Sequence, residues 1–216
     1  MFNDVRTRIT QNILDIKIWV ENIPSDGSNP GFQATSYGLF FVYIYGIYES
    51  IIKQIIGITI NKLNQSGAKI DTCIYELYSL LLSSEYDTLY QVGNEKKWER
   101  RWDISNKLIA NQAISISNDL FPTDGKNLRV RQLESLRNSF GINKDVLPRP
   151  ETGGYIQEIV DHRNHIAHGD VLPKEVGRAY TKSDIILRCS IITEVCEYIC
   201  NTYEEYIVQR KYIKQP

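Results

Sequence analysis

The chain has 216 residues, 42% of them hydrophobic and 24% charged, with 25 Lys plus Arg against 26 Asp plus Glu for a formal net charge of −1. That length and composition suit one globular domain over residues 1–216, and they exclude recognition of nucleic acid by an overall positive field, so any such surface has to be local. Four cysteines, Cys73, Cys189, Cys196 and Cys200, form no Cys-x-x-Cys pair, which argues against a disulfide scaffold and for a reducing, cytoplasmic setting.

In chain order, Val5, Ile9, Ile13, Ile16 and Val20 stand at helical spacing and predict a first helix over residues 4–21. The charges at Asp4, Arg6, Arg8, Asp15 and Lys17 leave no readable signal peptide. Residues 24–31 hold every breaker type and read as a turn cluster. A long helix rich in Ile and Tyr follows over residues 36–64, interrupted by Gly38, Gly46 and Gly57, and is expected to be the central helix of a bundle. Its most apolar run, residues 39–48, is too short to span a bilayer before Glu49 and Lys53 intervene.

Asp71 is placed to cap a helix through Leu82. Residues 96–102 read Lys-Lys-Trp-Glu-Arg-Arg-Trp, and two readings stand side by side. Lys96, Lys97, Trp98, Arg100 and Arg101 have the charge and the π-faces that single-stranded nucleic acid uses. Alternatively, Trp98 and Trp102, four apart, form one buried stripe with the basic residues on the wet face. The helix is expected to run on to residue 118 with Leu108, Ile109, Ala113 and Ile116 inward, and a turn is expected at residues 121–125. Leu133, Leu136 and Phe140 predict a helix over residues 127–140 that Gly141 stops, with Arg129, Arg131 and Arg137 as solvated surface.

All three histidines fall within residues 161–170. On a helix over residues 152–168, Arg163 comes from the middle of the apolar stripe made by Ile156, Ile159, Val160, Ile166 and Ala167, an odd place for a charged guanidinium. Glu49 is a candidate partner for it, the alternative being a plain surface carboxylate. Asn164 and His168, four apart, share a flank, while His162 and His165 fall on the other side and are expected to be solvated bystanders. Gly169 takes the left-handed stop position, so His168 sits on the last turn, where the helix dipole favours an imidazolium. A metal site from His162, His165 and His168 with Asp161 or Asp170 would fan its rings over roughly 120°, unlike the paired spacing of a zinc helix, and no metal or cofactor is expected.

Beyond the motif, Pro173 and Gly177 are expected to keep the chain irregular until Thr181 and Asp184 form a capping box. Ile185, Cys189, Ile192, Cys196, Ile199, Tyr203 and Tyr206 then mark a helix over residues 182–210. The fold class predicted is all-α, an antiparallel helical bundle with additional helices.

The string Arg163-Asn164-His165-Ile166-Ala167-His168-Gly169, an Arg with four residues before a His and a polar residue after the Arg, resembles the signature of the HEPN superfamily. The stretch Tyr45-Gly46-Ile47-Tyr48-Glu49-Ser50-Ile51-Ile52-Lys53 is similar to the aromatic-Glu-Lys helix that precedes the motif in that group. The resemblance implies a stand-alone, metal-independent endoribonuclease that leaves 2′,3′-cyclic phosphate ends. It implies Arg163, His168 and Asn164 as catalytic residues, Glu49 and Lys53 in support, a homodimer through the motif helix, RNA as substrate, and a toxin or phage-defence setting with an antitoxin or other regulatory protein. The alternative use of this fold is a non-catalytic nucleotide-binding or partner-docking module.

Overall fold

The computed structural model describes residues 1–24, 27–109, 111–121 and 127–215. Nine α-helices carry the fold among them: α1 Asn3–Glu21, α2 Pro30–Gln65, α3 Tyr78–Leu81, α4 Ser83–Gln91, α5 Lys97–Ile109, α6 Val130–Ser139, α7 Thr152–His168, α8 Pro173–Gly177 and α9 Lys182–Val208. No strand is present among the described residues, so the all-α expectation holds.

The core forms where the sequence periodicity is cleanest. Val5, Ile9, Ile13, Ile16 and Val20 of α1 are all buried. So is the whole α9 stripe from Ile185 to Tyr206, and the capping box that starts α9 closes in both directions, Asp184 N to Thr181 Oγ1 at 3.2 Å and Thr181 N to Asp184 Oδ2 at 2.8 Å. Packed against both lies α2, whose Tyr37, Phe40, Phe41, Ile44, Tyr45, Tyr48, Ile51, Ile52 and Ile55 are buried. Arg8 bonds Ser50 and Gln54 while Trp19 meets Tyr43, and Arg6 meets Asn201 and Glu204 while Lys17 lies near Cys189, so α1 runs antiparallel to both α2 and α9. By length and composition α2 passes for a membrane-crossing helix, but 56% of its most apolar window is buried inside the bundle.

Several elements depart from expectation. α2 starts at Pro30, not at residue 36, because Asn29 caps it by accepting from the Phe32 amide at 3.1 Å and Pro30 occupies the first turn, where no N–H is required. What read as part of a turn cluster is therefore a helix start; residues 25 and 26 of that cluster lie outside the described residues. The helix expected from Asp71 to Leu82 is instead two 3-10 turns, Ile70–Thr72 and Tyr75–Leu77, followed by the four-residue α3. Backbone pairing to the C-terminal segment, Ile74 N to Tyr212 O at 3.0 Å, takes hydrogen bonds that a continuous helix would have kept to itself.

α5 ends at Ile109, which is exposed, and residues 111–121 form no helix. Ile114 and Ile116, two apart, are buried while Ala113, Ser115 and Ser117 are exposed, which is the period of a strand. Asn64 fixes this segment by bonding both the N–H and the C=O of Ile116 at 2.8 Å. The turn expected at residues 121–125 lies, beyond Phe121, outside the described residues. The segment expected to be irregular after the motif contains α8, pressed backbone to backbone on α2: a Cβ at Gly38 would lie 1.9 Å from Pro173 O, and one at Gly177 would lie 1.8 Å from Ala34 O. Only hydrogen fits at these two positions.

Candidate active site

α7 spans Thr152–His168, as expected, and buries Ile156, Ile159 and Val160. It stops at Gly169 with φ 76° and ψ 13°, the left-handed conformation a side chain resists, and the Gly169 and Asp170 amides bond back to Ile166 O and His165 O. His168 is the last helical residue and is exposed, and among the described residues its ring has no hydrogen-bond or ion-pair partner.

One turn earlier, Arg163 is half-buried and held from two sides. Its guanidinium lies over the Tyr45 ring at 4.8 Å, and Nη1 donates to Asn127 Oδ1 at 3.1 Å and Asn164 Oδ1 at 3.0 Å. Asn127 Nδ2 donates in turn to Asn164 Oδ1 at 3.0 Å, so the two amides and the guanidinium brace one another. Glu49, the expected partner, is instead paired with Lys53 at 3.0 Å one turn further along α2. Among the described residues no carboxylate neutralises Arg163, and its Nε and Nη2 donors meet no protein acceptor. A guanidinium held on an aromatic face with two donors open is a ready fork for a phosphate.

Three consecutive residues ahead of α6 make this arrangement. Asn127 reaches Arg163 and Asn164, the Leu128 amide donates to the Tyr45 hydroxyl at 3.0 Å, and Arg129 pairs with Asp161 at 2.7 Å. This strap ties α2 to α7. Arg129 is thus engaged in the site's framework, not in solvation. Burial pushes the Tyr45 phenol up, with the Leu128 amide and the Arg163 charge opposing it. Asn127 reads from sequence only as the start of a helix, and Tyr45 only as the first residue of the aromatic-Glu-Lys stretch, with no site role of its own.

The expectation for His162 is corrected. It is half-buried, its ring packs on Phe41 at 4.7 Å, and Nε2 lies 2.6 Å from Tyr180 Oη. The Tyr180 hydroxyl donates to Glu158 at 2.9 Å, and Glu158 also receives Nε and Nη2 of Arg188, both at 2.8 Å. With that hydroxyl proton committed to Glu158, His162 presents N–H to the Tyr180 oxygen. Burial lowers the His162 pKa, and burial with the bond to Glu158 pushes Tyr180 up to about 12. His165, in contrast, is exposed as expected. The flank expected to join Asn164 with His168 brings Asn164 to Arg163 instead.

On α5 the expected buried tryptophan stripe is absent. Trp98 and Trp102 are 70% and 67% exposed, because the residues α5 turns inward are Lys97, Ile104, Lys107 and Leu108, each only partly buried. All four cysteines are buried and free, and burial pushes the Cys189 thiol up to about 12, so they are inert packing residues.

A family model described as HEPN_MAE_28990-like HEPN matches residues 1–212 of the chain. No curated protein and no solved structure matches it.

Proposed function

This chain belongs to the HEPN_MAE_28990-like HEPN family, whose fold serves nucleotide-related or RNase-type functions, and from that premise we propose that it is a metal-independent endoribonuclease. The observation that carries the reading is the un-neutralised Arg163 fork, braced by Asn127 and Asn164 over Tyr45 one turn from an exposed histidine.

In this reading His168 takes the proton from an RNA 2′-hydroxyl. The 2′-oxygen forms its bond to phosphorus as the bond to the 5′-oxygen breaks, and a protonated imidazole returns a proton to that leaving oxygen. The products are a 2′,3′-cyclic phosphate and a 5′-hydroxyl. Arg163 Nε and Nη2 hold the phosphoryl oxygens and offset the charge that builds on them. Asn164 acts on the arginine, fixing its plane together with Asn127.

Arg163 and His168 stand about 140° apart around one helix, so the full set of groups comes from two copies meeting along α7. A nuclease of this kind needs restraint inside a cell, which fits a toxin or phage-defence role with a regulatory protein.

The test incubates RNA in EDTA with wild type, Arg163→Ala and His168→Ala. The expected result is cyclic-phosphate ends from wild type and a loss of about 10²–10⁴-fold for each variant, with circular dichroism unchanged. Equal cleavage by the variants would remove the assignment. Intact RNA with all three proteins would favour a docking module.

A further inference from the structure

We propose that the exposed face of α5 is a stacking platform for single-stranded RNA, separate from the Arg163 site. The inference deepens the ribonuclease reading, and it rests on that reading only for RNA being the natural strand.

Neither α4 nor α5 contains a single buried residue, and together they form an arm that meets the body where α4 contacts α3 and where α5 contacts the 3-10 turn Ile70–Thr72. With Trp98 at zero on the α5 wheel, Trp102 lies near 40°, Ile109 near 20°, Ser105 near −20° and Arg101 near −60°, all rough angles. All five are exposed. Lys107 lies opposite and is tied to Glu85 of α4, which fixes the helix's rotation so that both indoles face solvent. Two tryptophans one turn apart on the open face of a helix, contributing nothing to the core, need a partner.

The charges choose its chemistry. Arg101 lies over the Trp98 ring at 4.7 Å, and it has no carboxylate partner among the described residues; nor do Lys96 and the partly buried Lys97, which border the indole face at the start of the helix, Lys97 about 100° from Trp98 on the side away from Glu99. The acids of α5, Glu99 and Asp103, fall about 100° and 140° from Trp98 on the wheel, off the indole face. Asp103 is already paired with Arg100 at 3.0 Å. The face therefore offers aromatic surface and uncompensated positive charge together, which is what bases and phosphates of an unpaired strand take up. A second copy of the same face would set these cations against each other, which disfavours self-association there.

The test is binding of full-length protein to a fluorescent 2′-O-methyl oligouridine of about a dozen nucleotides, followed by anisotropy and tryptophan quenching. Such a strand has no free 2′-hydroxyl and survives any cleavage by the route proposed above. Trp98→Ala/Trp102→Ala is expected to weaken binding at least about tenfold with helix content unchanged. The log of affinity is expected to fall with log salt at a slope of about −2, the value for three phosphate contacts on a single strand. Equal binding by the double variant, or no binding by wild type, overturns the platform. Sedimentation of wild type as a larger species than the double variant, with binding unchanged, also overturns it and assigns the face to a second copy. Tryptophan-dependent binding by a protein that cleaves no RNA would retain the platform and discard the nuclease.

Discussion

Two arginines in this protein lie over aromatic rings at nearly the same distance, and they are built differently. Arg163 sits 4.8 Å from Tyr45, which belongs to another helix and is 2% exposed, and two asparagines hold its guanidinium in place. Arg101 sits 4.7 Å from Trp98, three residues back on its own helix and 70% exposed, with no side-chain anchor. The first arrangement is fixed in advance for one anion in one orientation. The second slides and adapts, which suits a strand of variable sequence.

The largest contrast is in stability. Tyr45→Ala removes a buried ring from beneath Arg163 and from the Leu128 amide, and is expected to cost about 3–5 kcal/mol, whereas Trp98→Ala should stay within about 0.5 kcal/mol. Urea unfolding measures both. A large cost for Trp98→Ala would mean that α5 is packed against something, and the distinction between the regions would collapse.

Replacement by lysine sharpens the comparison chemically. Arg163→Lys keeps the charge but loses the fork that bonds the asparagines and the phosphate at once, so cleavage should fall by about 10²–10³. Arg101→Lys keeps most of what a mobile cation provides and should change strand binding by no more than about twofold. Cleavage rates and anisotropy read the two effects, and equal sensitivity at both sites would contradict the division.

A smaller difference concerns pH. His162 has a pKa lowered by burial from its ordinary 6.5. As pH falls below that value the unfolded chain takes up a proton that the folded chain resists, so stability is complete above about pH 6.5 and declines beneath it. His162→Gln should flatten that decline in thermal melts. No histidine lies on α5, so strand binding there should stay level over about pH 6–8. An unchanged decline in His162→Gln would place the proton elsewhere.

How much of this was legible in the sequence follows the same division. The α1 and α9 stripes, the Thr181–Asp184 box, α7 and its Gly169 stop come from local rules, namely periodicity, caps and left-handed glycine, and each appears where those rules put it. Failures occur where a distant partner overrides a local preference. Ile114 and Ile116 lie outside any helix because Asn64 bonds the Ile116 backbone and Ala68 O takes the Ile114 amide. Asn127 enters the site because a strap carries it 36 residues from Arg163 in sequence to bonding distance in space. His162 is half-buried because Tyr180 and Phe41 pack against it, and the tryptophans are open because α5 meets the body along another edge. The alternation of residues 113–117 was a readable signal for the first of these. For Asn127 the sequence carries none.

The most direct measurement maps a cleavage position in RNA with wild-type protein in EDTA, then repeats the reaction on the same RNA carrying 2′-deoxy at that one nucleotide. Attack by the 2′-oxygen with His168 as base predicts cyclic-phosphate ends from the first RNA and no cut at that position in the second. Undiminished cutting of the deoxy substrate, or 5′-phosphate ends from either, would contradict it.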